Sequence, residues 1–287
     1  MKIKADILEQ VIKPRKSASH KGNYGKILLI GGSSHYGGAI IMAAEGALNS
    51  GAGLLCVATH NLNVTALHSR DPEVMFIDWR DEAGLKQLLP QMDIVVCGMG
   101  LGTETRSIKC MELLRDNINN EQTLVLDASA LTLISKNKHL LPYNAKAIIL
   151  TPHQMEWQRL SEIRINYQND AANFEALDTL FPQKNAYLVL KSNHTKIYEQ
   201  KNHQVLENPL GNPGMATGGM GDTLAGIIGS FCGQFTTKLD TIAAAVYLHS
   251  LAGDKIFQEN YIVRPTKLSA SLPELMKKYG ENNDEND

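Results

Sequence analysis

The stretch "GNPGMATGGMGDTLAGIIGSF", residues 211–231, carries the signal that decides the fold, because it joins a glycine-rich loop to an amphipathic pattern. Five of its first eleven residues are glycines, and one carboxylate, Asp222, follows them. The apolar residues after Asp222 recur at the spacing of one helix face: Leu224, Ile227, Ile228 and Phe231. The segment predicts a loop feeding a helix N-terminus, where unpaired backbone N–H groups favour an anion.

The chemistry of this loop follows from what it contains and what it lacks. A Walker A phosphate loop ends in Gly-Lys-Ser/Thr, whereas this one ends in Gly221-Asp222-Thr223. Without a lysine, we expect an anion hole made only of the backbone amides of Gly218, Gly219, Met220 and Gly221. Asp222 would then take a proton from a hydroxyl group that attacks a phosphoryl group. The alternative, a residue that only caps the helix, needs no glycine cluster.

The composition excludes several classes of protein. The 287 residues include 28 basic and 30 acidic side chains, so the formal net charge of −2 gives no sign of a nucleic-acid partner. The sequence contains no run of 18 apolar residues, which argues against a membrane span. The N-terminus also lacks the apolar core of a secretory signal. We therefore expect a cytoplasmic protein without a membrane partner.

The four cysteines are too few and too scattered for a disulfide framework, and none forms a CxxC pair: Cys56, Cys97, Cys110 and Cys232. They are interpreted as buried free thiols in a reducing compartment, and zinc coordination is not expected.

Short apolar runs alternate with helical patterns along most of the chain. The strand-like runs are 26–32, 53–59, 73–78, 93–100, 123–129, 146–153 and 186–192. Because they are continuously apolar, both of their faces should be covered by helices. This alternation predicts a three-layer α/β/α domain with a mostly parallel central sheet.

The pattern changes after residue 192. Residues 195–207 predict a short antiparallel hairpin that turns near Lys201 and Asn202. Three helices are predicted after it, at roughly 222–234, 238–258 and 266–278. No linker divides the chain, so we expect one domain at 1–279, and the polar, acidic residues 280–287 are predicted to be a disordered tail.

Four more loops follow predicted strands, and ligands bind beyond the carboxyl ends of strands in parallel sheets. They are "GGSSHYGGA" (31–39), "GMGLGTE" (98–104), "LTPHQMEWQRL" (150–160) and "KSNHT" (191–195). Each of these loops could instead be a turn that only serves packing. His153 could likewise be a structural histidine with no functional role. The first loop lacks the GxGxxG spacing of dinucleotide-binding folds.

A Gly-x-Gly-Asp loop before a helix, late in an α/β chain, resembles the ribokinase-like superfamily. Within it, the chain is similar to the NAD(P)H-hydrate dehydratases, which are related to carbohydrate kinases. The similarity covers most of the chain, in the family's order: "KGNYGKILLIGGSSHYGGAIIMAAEGALNSGAGL", "VVCGMGLGTE", "DASAL", "LTPH", "KSNHT" and "NPGMATGGMGDTLAGIIG". One departure concerns the turn geometry after His153, where the family's Pro-Gly-Glu is replaced by Gln154-Met155-Glu156.

The resemblance implies repair of the S epimer of NADH or NADPH hydrate. A nucleotide phosphorylates the added hydroxyl of the nicotinamide ring, and the phosphate then leaves, so ADP yields AMP and phosphate. Because the first strand begins near residue 26, the N-terminal epimerase domain of some relatives is not expected. This stand-alone form favours ADP over ATP.

The resemblance also assigns site residues. The hydrate would contact Ala39, Gly102, His153 and Asp222. The adenine nucleotide would contact Lys191, Ser192, Asn193, His194, Thr195 and Gly221. Mg²⁺ should bridge the donor phosphates, and a homo-oligomer, a tetramer, is expected.

Two rival functions remain open at this level. A kinase of the same fold, acting on a thiazole or hydroxymethylpyrimidine alcohol, would keep Asp222 and the loop but release a stable phosphoester. A non-catalytic nucleotide sensor would function equally well after the substitution Asp222→Asn.

Overall fold

The computed structural model describes residues 1–281. Its strands all lie in one nine-stranded sheet: β1 Lys26–Ile30, β2 Leu54–Thr59, β3 Met75–Asp78, β4 Ile94–Cys97, β5 Thr123–Leu126, β6 Ala147–Leu150, β7 Ala186–Leu190, β8 Lys196–Glu199 and β9 Gln204–Glu207. The α-helices are α1 Asp6–Val11, α2 Gly37–Asn49, α3 Val64–Arg70, α4 Glu82–Leu88, α5 Thr105–Asn117, α6 Ala128–Lys136, α7 Gln154–Ser161, α8 Asp170–Leu180, α9 Met220–Gln234, α10 Leu239–Phe257 and α11 Pro265–Glu281.

The order of the strands across the sheet is β3-β2-β1-β4-β5-β6-β7-β8-β9. Strands β1 to β7 pair in parallel, and β8 and β9 add an antiparallel hairpin beside β7. Each of the seven predicted runs contains one of the parallel strands, and the predicted hairpin is confirmed. The chain reverses its direction across the sheet between β1 and β4, which is where such folds open a crevice for ligands.

The two faces of the sheet bury separate halves of the core. Along β1, Ile27 and Leu29 pack with α2, α9 and α10, whereas Leu28 and Ile30 pack with α5 and α6 on the opposite face. This alternation follows from the two-residue period of a strand, and it gives the expected three layers.

Some elements differ in detail from what the sequence predicted. Strand β3 was expected to be covered by helices on both faces. It lies at the edge of the sheet, and the side chain of Met75 on this strand is exposed. Helix α9 begins at Met220, two residues before the predicted start. Helix α11 extends to Glu281, so 280–281 are helical, and the rest of the predicted tail, 282–287, lies outside the described residues.

The four cysteines are free and buried, as predicted. Among residues 1–281, no helix is both long and apolar enough to cross a membrane.

Candidate active site

The loops after β1 and β4 meet at the point where the strand order reverses. The N–H of Gly32 donates to the carbonyl of Met99 at 2.8 Å, and the N–H of Ser33 donates to that of Gly100 at 2.7 Å. A Cβ on Gly100 would lie 2.9 Å from the Cβ of Ala39, so no side chain fits between the two loops. This packing holds Ala39, predicted to contact the hydrate, beside the second glycine loop.

The second glycine loop continues toward the end of β5. The N–H of Gly102 donates to the hydroxyl of Ser129 at 3.1 Å, which ties the predicted hydrate contact to the first turn of α6. The start of α2, which carries Ala39, and the loop that carries Gly102 are therefore joined to the carboxyl end of β5 by direct contacts.

Asp127, the residue directly after β5, is a site residue that the sequence reasoning missed. It is only 1% exposed, and its Oδ1 accepts hydrogen bonds from Lys191 Nζ and from the Thr151 hydroxyl, both at 2.8 Å. Its only signal in the sequence was a carboxylate at the end of an apolar strand run, within the "DASAL" motif. Lys191 and Thr151 lie far from it along the chain, so no sequence spacing could reveal these contacts.

His153 begins α7 and caps it. Its ring Nδ1 accepts hydrogen bonds from the backbone N–H groups of Met155 at 3.1 Å and Glu156 at 3.3 Å. The backbone N–H of His153 donates to Glu156 Oε2 at 2.9 Å. The replaced Pro-Gly-Glu thus still leaves a glutamate at the third helical position, which completes a capping box. The ring of His153 is half exposed.

The "KSNHT" segment links the end of β7 to the hairpin. The N–H of Lys191 donates to the carbonyl of Pro152 at 2.8 Å, which holds this segment against the loop that carries His153. Ser192, Asn193 and His194 are exposed, whereas Thr195 is buried and its carbonyl accepts from the N–H of Asn208. The segment therefore presents three accessible residues beside the strand ends: Ser192, Asn193 and His194.

The glycine loop ends in a left-handed residue that starts α9. Gly219 has φ +92°, a conformation that L side chains rarely adopt, and it occupies the N-cap position. Asp222 is the third helical residue, in the first turn. The hydrogen bonds of residues 1–281 include none made by its carboxylate, so Asp222 does not act as a cap.

The surroundings of Asp222 favour a base that works near neutral pH. Burial raises the pKa of its carboxyl group, the negative charges of Asp127 and Glu156 raise it further, and Lys191 lowers it, with a net value of about 6. A carboxylate with this pKa is ionised at neutral pH yet holds a proton more tightly than an ordinary aspartate, as general-base catalysis requires.

The anion hole of backbone amides at 218–221 stays a prediction, and the structure places a side-chain cation beside it. A Cβ on Gly221 would lie 3.2 Å from Lys191 Nζ, so an ammonium group from the end of β7 lies directly against the first turn of α9. The cation that the glycine loop lacks therefore reaches the helix N-terminus from a different strand.

Two further observations concern metal ligands and a cavity. Within residues 1–281, no three His, Cys, Asp or Glu side chains are grouped so that they could hold a metal ion. A cavity of about 850 Å³ lies at the opposite ends of α2 and α9, lined by Asn49 and Gln234, and it contains none of the predicted site residues.

Fold and site together define a ribokinase-like protein: a carboxylate at a helix N-terminus, a glycine loop and a lysine converge at the carboxyl ends of parallel strands. A family model described as NAD(P)H-hydrate dehydratase matches residues 27–274, and the chain belongs to that family.

Similar proteins cover almost the whole chain. It is 45% identical to the ADP-dependent (S)-NAD(P)H-hydrate dehydratase of Enterococcus faecalis, over 96% of this chain and 92% of that protein. It is also 45% identical to the protein of the same name in Lactiplantibacillus plantarum, over 97% and 98% of the two chains.

Solved structures agree with the fold. An ADP/ATP-dependent NAD(P)H-hydrate dehydratase from Bacillus subtilis, co-crystallised with ATP and Mg²⁺, has a TM-score of 0.82 at 28% identity, with 95% of this chain and 96% of that chain covered. A hydroxyethylthiazole kinase from Pyrococcus horikoshii has a TM-score of 0.61 at 13% identity, with 98% and 95% covered, which shows the fold alone.

Proposed function

We propose that this chain catalyses the ADP-dependent dehydration of (S)-NADH hydrate and (S)-NADPH hydrate to NADH and NADPH, as a hydro-lyase that repairs nicotinamide cofactors. The observation that carries this proposal is the Asp222 carboxylate, with a pKa of about 6 and no hydrogen-bond partner among residues 1–281. It lies in the first turn of α9, next to Gly221 and the ammonium group of Lys191. The names of the curated relatives support the choice of substrate and of ADP.

The first step is phosphorylation of the hydrate. Its hydroxyl oxygen attacks the terminal phosphorus of ADP, the bond from that phosphorus to AMP breaks, and Asp222 accepts the hydroxyl proton. The charge on the transferring group is stabilised by the backbone N–H groups of Gly218, Gly219, Met220 and Gly221. N–H groups in a loop and at a helix N-terminus have no intrahelical acceptor, so they can donate to an anion.

The second step is elimination. The carbon–oxygen bond of the new phosphate ester breaks, the neighbouring ring carbon loses a proton, and the ring double bond forms again. The products are NADH or NADPH, AMP and phosphate. Phosphorylation thus converts a hydroxide, a poor leaving group, into a phosphate, which leaves readily.

The roles of the remaining residues belong to the same proposal. Ala39, Gly102 and His153 contact the hydrate, which is supported for Ala39 and Gly102 by the direct contact between the start of α2 and the second glycine loop. The nucleotide contacts residues 191–195 and Gly221, which is supported by the accessible side chains of that segment. Since residues 1–281 contain no cluster of three His, Cys, Asp or Glu side chains that could hold a metal ion, we propose that Mg²⁺ arrives on the donor phosphates.

The broader context is proposed on similar grounds. One domain at 1–279 is supported by the single sheet that joins all nine strands. A cytoplasmic location is supported by four buried free thiols. A homotetramer is proposed from the family resemblance.

The test is to incubate the protein with purified (S)-NADH hydrate and either ADP or ATP, and to follow the absorbance of the reduced nicotinamide. We expect recovery of NADH with one AMP per NADH, faster with ADP than with ATP, and none with Asp222→Asn. Failure to recover NADH with either nucleotide would overturn the proposal.

The rival kinase function is tested in the same way. The chain shares the fold of a hydroxyethylthiazole kinase, so a kinase reaction is compatible with this fold. Such a reaction would release a stable phosphoester. Incubation with hydroxyethylthiazole or a hydroxymethylpyrimidine and ATP should give no phosphoester. A sensor would respond to nucleotide equally well with Asn at position 222.

A further inference from the structure

A partly buried ion pair lies beneath the first turn of α9. Asp127 Oδ1 accepts from Lys191 Nζ at 2.8 Å, and the hydroxyl of Thr151 donates to the same oxygen at 2.8 Å. One carboxylate thus ties together the carboxyl ends of β5, β6 and β7. The ammonium group of Lys191 is thereby held in place by contacts at the ends of three neighbouring strands, although the side chain that carries it is flexible.

The charges around Lys191 keep it cationic. Burial lowers the pKa of its ammonium group, but the carboxylates of Asp127, Glu156 and Asp222 outweigh that effect and raise it overall. His249, from α10, is buried, and burial lowers its pKa to about 4, so it adds no second cation near neutral pH. Lys191 therefore brings a permanent positive charge to the side of Gly221.

Stability alone is a weak reason for this arrangement. A buried ion pair often adds nothing over well-packed apolar residues, because both charges lose their hydration. An ammonium group held against a helix N-terminus that handles phosphoryl groups has a clear chemical use, since charge develops there during transfer.

We propose that Asp127 is a positioning residue, which holds the ammonium group of Lys191 beside Gly221 so that it meets the transferring phosphoryl group. Lys191 thereby supplies, from the end of β7, the cation that a Walker A loop carries within itself. This inference rests on the proposed function, because it needs a phosphoryl group at the start of α9.

The test is a double-mutant cycle of Asp127→Asn and Lys191→Met with hydrate and ADP. Asp127→Asn should lower kcat at least tenfold and raise KM for ADP about fivefold, since the charge meets the terminal phosphoryl group in bound ADP and matters most during transfer. If Asp127 acts through Lys191, adding Asp127→Asn to Lys191→Met should cost less than a further twofold. An equal loss of kcat in both backgrounds, or no loss in the single variant, would overturn the proposal.

Two other variants guard against misfolding. Thr151→Val keeps both charges but removes one restraint on Asp127, and should lower kcat by two- to fivefold. Lys196→Met is the matched control, because it breaks an ion pair of equal length, with Asp170, outside the described site. Its kcat should stay within twofold of wild type, and a loss as large as that of Asp127→Asn would contradict the inference.

Calorimetric binding of ADP and AMP separates this inference from the proposed function, because it needs no hydrate. The preference for ADP over AMP should fall at least fivefold in Asp127→Asn and in Lys191→Met. If the wild type repairs no hydrate but these preferences fall, only the proposed function fails. If hydrate is repaired but Asp127→Asn changes neither the preference nor kcat, the positioning role fails.

Discussion

Asp222→Asn should abolish turnover and at the same time stabilise the protein. Burial, with Asp127 and Glu156 nearby, raises the pKa of the Asp222 carboxyl group from 3.8 to about 6. Because the folded state binds this proton more tightly than the unfolded state does, ionising Asp222 costs folding free energy. That cost is absent below pH 4, grows as the pH rises toward 6, and is complete above it.

The size of the effect follows from these two pKa values. Their difference corresponds to about 3 kcal/mol of unfolding free energy at neutral pH. Asparagine has almost the same shape but also loses the favourable interaction of a negative charge with the helix N-terminus, about 0.3–1 kcal/mol. The net gain should be about 2 kcal/mol, equivalent to a rise in Tm of about 3–4 °C in a chain of this size.

The assay is thermal unfolding of both proteins between pH 4 and pH 8. The difference in Tm should be largest above pH 7 and shrink toward pH 4. Asp240→Asn is the matched control, because Asp240 also lies in the first turn of a helix but has a half-exposed side chain. It should leave Tm unchanged or lower it slightly. A lower Tm for Asp222→Asn at pH 8, or a difference independent of pH, would refute the reasoning.

Three other outcomes are expected. In the wild type, kcat/KM should fall as the pH drops below about 6, because Asp222 must be ionised to act as the base; a flat profile between pH 5 and 8 would contradict this. Gly219→Ala should cost about 1–2 kcal/mol in thermal unfolding because of its positive φ, whereas Gly218→Ala, whose Cβ would meet no atom within 4 Å, should change stability by less than about 0.5 kcal/mol. Ellman's reagent at pH 8 should label the native protein slowly, since burial raises the pKa of Cys56 and Cys110 to about 11, and fast native labelling would disagree.

Much of the fold could be predicted from the sequence. The apolar runs identified β1 to β7, and the polar turn near Lys201 and Asn202 identified the hairpin, because strand and turn preferences depend on neighbouring residues. The strand order could not be derived, since it depends on which apolar faces pack together. The exposed side chain of Met75 was missed for the same reason.

The site divides along a similar line. The glycines and Asp222 are adjacent in the chain, so their chemistry was readable as a motif. The contact between Asp127 and Lys191 joins residues 64 positions apart, so the sequence of the loop gave no sign of the ammonium group that lies beside Gly221.

By itself, the sequence determined a parallel α/β chain with a glycine loop and one acid at the start of a helix. Only the tertiary structure decided that this acid has a raised pKa and that a lysine from another strand lies beside it. The physical reason is that secondary structure arises from short-range preferences along the chain, whereas charge interactions and desolvation depend on distances through space.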